Sequence, residues 1–242
     1  MSAPPFAFRA ALIGYAVLYL AYLSFRLEGE FGHWVSLVVI PFVAVVQFLP
    51  GGFSFLALRG SLELLGVRKQ GAVRAVLLGA LVGIPMTGVQ LLGRQGHEAL
   101  RLFLTPSGWL LLLAGLALMC VTAAATEEFF FRGVLIGGLV HSGVRPLLAG
   151  AVSSALFVAY HVPYAYFSPH WESQGHFVNA IYAALGNALV LSIAFSGVYV
   201  ASRRHLLAPF VAHALTNMVP VALYLQGHLA FQPGAALIDC GV

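Results

Sequence analysis

Long apolar runs separated by short polar interruptions occupy almost the whole of this 242-residue chain. A helix needs about 20 predominantly apolar residues to cross a hydrocarbon core, and seven segments of that order can be marked off by charge, Gly or Pro. The first covers residues 10–25, between Arg9 and Arg26, and the second runs from Trp34 to about Leu49, before Pro50-Gly51-Gly52. Residues 53–72 interleave Arg59, Glu63, Arg68 and Lys69 with leucines, which suits a helix lying partly in the interface. The third span follows from Val73 to Leu92. The fourth begins near Trp109, carries Glu127, Glu128 and Arg132 past its middle and stays apolar to Val140, so it should be long and tilted. Residues 146–162, Phe177 to Ala201, and Leu206 to about Leu225 complete the set. The expected fold is all-α: a polytopic membrane protein of about seven helices (six to eight), forming one domain over residues 1–242 around an intramembrane cavity.

Composition sharpens this picture. Hydrophobic residues make up 60% of the chain and charged residues only 8%, against roughly a quarter charged in soluble domains. That supply cannot build a water-facing surface. The 12 Lys and Arg are scattered between apolar runs and form no stripe with aromatics, so nucleic acid is not an expected partner. Cys120 and Cys240 lack any Cys-x-x-Cys spacing and read as unpaired. No small-x-small cleavage site follows residues 10–25, so that segment is expected to be a retained anchor. With seven spans, Arg9, Arg59, Arg68, Lys69, Arg74, Arg145, Arg203 and Arg204 fall on the side of the N-terminus, and only Arg26, Arg94 and Arg101 on the other. The positive-inside rule then puts the N-terminus in the cytoplasm.

Against this background the intramembrane polar residues stand out, because a charge near the bilayer centre costs roughly 2.5–3.5 kcal/mol on insertion scales and marks a functional site by default. Glu128 and Arg132 lie one turn apart on one helix face, with the acid N-terminal as a favourable pair requires. Glu127 points about 100° away from Glu128, free to face a cavity. Phe157 and His161 share a face of the fifth span, and His213 and Asn217 share a face of the seventh. At 1.5 Å per residue, Glu127 and His161 lie about 20 and 24 Å from the connection at residues 141–145, and His213 and Asn217 about 10–17 Å into their helix. These depths allow one chamber, reached from the half nearest the basic loops. Taken singly, each residue also has a bland reading: an interhelical hydrogen bond for either histidine or Asn217, a structural ion pair for Glu128 and Arg132. Three clusters at compatible depth are harder to explain that way.

Glu-Glu-x-x-x-Arg at 127–132, Phe-x-x-x-His at 157–161 and His-x-x-x-Asn at 213–217 together resemble the motifs of the CAAX protease and bacteriocin-processing (CPBP, or Abi) family of intramembrane endopeptidases, which includes the Ras-converting CAAX endoprotease. The resemblance covers order, spacing and separation over a protease core of about residues 109–225, and leaves the role of residues 1–100 open. It implies an integral protein of a prokaryotic cytoplasmic membrane that cleaves a membrane-anchored or lipidated protein or peptide. It further implies that Glu127 and His161 activate water and that His213 and Asn217 donate to the oxyanion. Glu128 and Arg132 would support the motif helix, and Phe157 and Tyr160 would shape the substrate cavity. No cofactor is favoured; were zinc present, Glu127, His161 and His213 would be its ligands, although no His-Glu-x-x-His occurs and Asn is a poor zinc ligand. Two other functions fit the same polar residues: a proton-coupled transporter or ion carrier, for which the internal symmetry usual in carriers is missing, and a non-catalytic immunity or scaffold protein of the same fold. The loop from Pro163 to His176, with His170, Trp171, Glu172 and His176, could be a lid or a wet connection, and the second reading is favoured.

Overall fold

The computed structural model describes residues 62–92, 96–121, 123–167 and 173–229, and every regular element among them is helical. In chain order these are α1 (Ala72–Gln90), α2 (Gly96–Leu104), α3 (Pro106–Val121), α4 (Ala123–Glu128), a π-helical segment Phe129–Ile136, α5 (Gly137–His141), α6 (Pro146–Phe167), α7 (Phe177–Ala184), a second π segment Leu185–Leu189, α8 (Val190–Ala201) and α9 (Leu207–Leu229). Four stretches are long and apolar enough to cross a membrane: Ala72–Gln90, Pro106–His141, Phe177–Ala201 and Leu207–Gly227. They correspond to the expected third, fourth, sixth and seventh spans. The expected fifth falls in α6, which is shorter in its apolar part, Pro146–Val162. The first two expected spans, residues 10–25 and 34–49, lie outside the described residues, as does loop residues 168–172.

The outer surface explains the solvent. On α1, Leu77, Leu81 and Ile84 are 64%, 69% and 63% exposed. In water such a stripe would be an aggregation surface; against acyl chains it is the ordinary face of a spanning helix. This protein is an integral membrane protein.

Helix pairing inside the bilayer follows small residues. On α1, Gly79, Gly83 and Thr87 recur at four-residue spacing and meet α9 in step. A Cβ at Gly79 would collide with the Ala208 carbonyl oxygen, one at Gly83 would fall 2.9 Å from the Ala212 carbonyl oxygen, and Thr87 Oγ1 lies 2.9 Å from the carbonyls of both Gly83 and Leu215. Both partners advance together, so α1 and α9 are parallel. Without a hydrophobic driving force in lipid, such close backbone approach and shared hydrogen bonding are what hold spanning helices together. Across the other side of α9, Gly115 of α3 approaches Met218 in the same manner, its Cβ position 2.6 Å from that carbonyl oxygen.

Two expectations are corrected. An interfacial helix through residues 62–72 is not formed: Leu62–Leu65 make one 3-10 turn, and Gly66 (φ 85) and Gly71 (φ 82) turn the chain in left-handed conformations that end helical propagation. The short helix α2 was not anticipated. It seats Ala99 and Leu102 on Leu112 of α3 and on Val219, Ala222 and Leu223 of α9, with Glu98 and Arg101 paired outward at 3.3 Å.

Replacing Gly83 by Leu should destabilise the fold by about 1–3 kcal/mol through overpacking. Gly88→Ala, where a Cβ meets nothing within 4 Å among the described residues, should be neutral or mildly stabilising. Thermal unfolding of the two variants in detergent checks the contrast.

Candidate active site

The local chain geometry places adjacent carboxylates in different surroundings. Glu128 is fully buried, and its Oε1 accepts from Arg132 Nη1 at 2.9 Å and from His213 Nδ1 at 2.7 Å. Because that oxygen accepts the guanidinium hydrogen bond it acts as an acceptor, so His213 Nδ1 is the donor and its Nε2 is the edge left for other work. Arg132, also fully buried, reaches onward with Nη2 to Ser192 Oγ at 3.0 Å and the Ser192 carbonyl at 3.2 Å. Its guanidinium lies over the faces of Phe157 (4.8 Å) and Phe195 (5.6 Å), a favourable cation–π arrangement. His213 stacks on that same Phe195 ring, centroids 5.0 Å apart. One ion pair therefore ties the motif helix to α8 and α9.

Glu127, turned away from this network, lines a cavity of about 310 Å³ together with Phe157, His161, His213 and Asn217. The Tyr160 hydroxyl is within hydrogen-bonding reach of the Glu127 carboxylate. His161 is held by its own helix: Nδ1 lies 2.8 Å from the Phe157 carbonyl oxygen, which can only accept, so Nδ1 carries the proton and Nε2 of the neutral ring is an acceptor. Phe157, 4.5 Å from the His161 ring and 4.9 Å from Phe131, and Tyr160, 5.4 Å from Phe131, pack as tilted and edge-on aromatics that fix this wall. All eight residues singled out from the sequence thus lie in or directly behind one place. Glu127, His161, His213, Asn217 and Phe157 face the cavity; Glu128, Arg132 and Tyr160 stand around it.

The cavity differs from the sequence reading in its extent. Its lining continues to Gln90 and Tyr224. At 1.5 Å per residue His213 stands about 9 Å, and Gln90 about 27 Å, along their helices from the end bearing Arg203 and Arg204. The lining thus climbs away from the basic end.

Several participants were missed. Ser192, Asn187 and Phe195 come from the sixth expected span, from which the sequence analysis drew no site residue. Asn187 and Gln90 line the cavity, and Gln90 Oε1 is buried without a hydrogen-bond partner among the described residues. The signal was present: Asn187, Ser192 and Ser196 are polar residues in an apolar run, the same criterion that singled out Glu127. Among the described residues no group of three or more His, Cys, Asp or Glu side chains is arranged to hold a metal ion.

Residues 108–219 match the family model described as Type II CAAX prenyl endopeptidase Rce1-like. That interval contains all three motifs and every residue of the polar network. Comparison with curated proteins and with solved structures returns no match.

Removing the cation from the buried pair should strand a carboxylate in the interior. Arg132→Met is expected to destabilise by about 3–5 kcal/mol, and Arg132→Met combined with Glu128→Leu to recover most of that loss. Unfolding of the single and double variants in detergent measures it.

Proposed function

We propose that this protein, with a Rce1-like domain at residues 108–219, is an intramembrane endopeptidase that hydrolyses a peptide bond near the end of a membrane-associated or lipidated protein or peptide. The observation that carries this reading is the convergence of Glu127, His161, His213 and Asn217, from three separate helices, on one cavity. An acid, an acceptor imidazole and two further polar groups around a single space are what water-mediated acyl transfer requires.

The chemistry follows from the donors and acceptors each residue has to offer. A water held between Glu127 and His161 gives one proton to the Glu127 carboxylate as its oxygen attacks the scissile carbonyl carbon. The other water proton is directed at the His161 Nε2 lone pair. Charge then develops on the carbonyl oxygen, where Asn217 Nδ2 and, when its ring carries both protons, His213 Nε2 donate. Before the attack, that form sets two carboxylates, Glu127 and Glu128, against two cations, Arg132 and His213; after it, the oxyanion takes the place of the Glu127 charge. On collapse the C–N bond breaks, and the proton held by Glu127 passes to the leaving amine, giving a free amine and a carboxylic acid that still carries the second water proton. No step is assigned to a metal.

Membrane placement is part of the proposal. Arg68, Lys69, Arg203 and Arg204 on one end favour that end in the cytoplasm by the positive-inside rule, with the N-terminus on the same side under the seven-span reading.

Three measurements on protein reconstituted in liposomes test this. Glu127→Gln should lower cleavage of a lipidated peptide by about 10²–10⁴-fold while leaving the unfolding midpoint near that of wild type. Asn217→Ala should lower kcat by about 10²–10³-fold with a smaller change in KM. Cleavage should persist after exhaustive chelation; activity lost to chelators and restored by zinc would defeat the metal-free assignment. Glu127→Ala abolishing an ion flux without any wild-type cleavage would instead establish the carrier reading.

A further inference from the structure

Away from the cavity, the densest concentration of unassigned chemistry sits at the end of the molecule where α1 and α9 begin. Arg68 and Lys69 occupy the turn before α1, and Arg203 and Arg204 the turn before α9. Arg68 Nη2 donates to the Arg203 carbonyl at 2.5 Å, and the Leu206 amide donates to the Gly66 carbonyl at 2.9 Å. Four cationic residues are thereby fastened side by side, and among the described residues none of them has a carboxylate within ion-pairing distance. Since α1 and α9 are parallel, their N-termini open at this same end. Neither has an acidic residue in its first turn, and Gly71 gives α1 no side-chain cap. The partial positive charge of both helix ends adds to the four side chains. His205 registers the field: burial first, and then the Arg68 charge, lower its pKa below the ordinary imidazole value.

Two independent observations argue that this assembly is more than a topological signature. Arg203 and Arg204 both adopt left-handed backbone conformations, φ 61 and 63. Side chains are disfavoured there and glycine is not, yet the chain places arginine at both positions; strain held in this way clusters at functional sites. Beneath the turns the fully buried Tyr199 hydroxyl has no hydrogen-bond partner among the described residues, and it lies 3.1 Å from where a Cβ of Gly66 would stand.

We propose that this cationic end binds the phosphate of an anionic phospholipid headgroup in the adjoining leaflet. A lipid, and not a soluble phosphate, is favoured by the neighbours: Val67 and Val73, 40% and 76% exposed, flank the cations on the same turns. A headgroup here would meet the guanidinium groups while its acyl chains cover the apolar flank. Arginine forks match phosphate oxygens in geometry as well as charge. The site lies at the opposite end of α1 from Gln90, so it is separable from the proposed chemistry.

The full chain in nanodiscs of phosphatidylcholine, with and without a fraction of phosphatidylglycerol, provides the test. Wild type should gain about 5 °C in unfolding midpoint with phosphatidylglycerol at low salt, as expected for a site near saturation, and should retain that lipid in native mass spectrometry. The paired change Arg203→Gly and Arg204→Gly should raise the midpoint in phosphatidylcholine, by relieving the left-handed strain, and abolish the response to phosphatidylglycerol. Arg68→Gln with Lys69→Gln should reduce the response without the gain. An equal response in wild type and the glycine variant, or none in wild type, overturns the site; inorganic phosphate reproducing the gain in phosphatidylcholine overturns the assignment to lipid.

Discussion

The interior of this protein is organised around one oxygen atom. Glu128 Oε1 accepts two short hydrogen bonds, from Arg132 on its own chain segment and from His213 on α9, in a site fully sealed from solvent. A buried carboxylate is tolerated only when its surroundings supply charge and donors together, and here they come from different helices. Those helices are consequently not free to slide. Arg132 extends the constraint to Ser192 on α8, and the shared Phe195 face presses the guanidinium and the imidazole into fixed planes.

The glycine seam between α1 and α9 makes that arrangement durable. Thr87, Gly83 and Gly79 bring two backbones into contact along the same stretch of α9 that carries His213. A helix gripped from behind by close backbone packing holds its polar face at a constant height and rotation. Ser153, whose Oγ donates to the Phe131 carbonyl at 2.9 Å, and Ser154, 3.1 Å from Ser196 Oγ, fasten α6 to the π segment and to α8 in the same way. Small polar residues thus set the distances between helices, and the larger polar residues exploit the space that remains.

How much of this was legible in the sequence depended on whether the information was local. Apolar run lengths gave α1, the 106–141 stretch, α6, the 177–201 stretch and α9 to within a few residues, because span length is fixed by bilayer thickness. Four-residue spacing gave the Glu128–Arg132 pair, since both residues ride one helix. The His213–Glu128 bond could not be read, because choosing between Glu127 and Glu128 as its partner requires the rotation of one helix against another. Nor could the π segments at Phe129–Ile136 and Leu185–Leu189, where apolar composition is indifferent to hydrogen-bond register. The turn at Gly66–Gly71 was misread through its charged residues, when its two left-handed glycines were the stronger signal.

The difference between the two neighbouring acids is the clearest lesson in how structure assigns chemistry. Glu127 and Glu128 are identical side chains one residue apart, about 100° apart around the helix axis. One points into packed protein and meets two hydrogen-bond donors, Arg132 and His213, on one oxygen, which commits it to structure. The other points into a cavity shared with His161 and Asn217, where a small molecule can reach it. Glu128 nevertheless shapes what Glu127 can do, because by accepting the hydrogen bond of His213 Nδ1 it leaves Nε2 for the cavity. A residue that touches no substrate in the proposed reaction therefore decides which face of a histidine the substrate would meet.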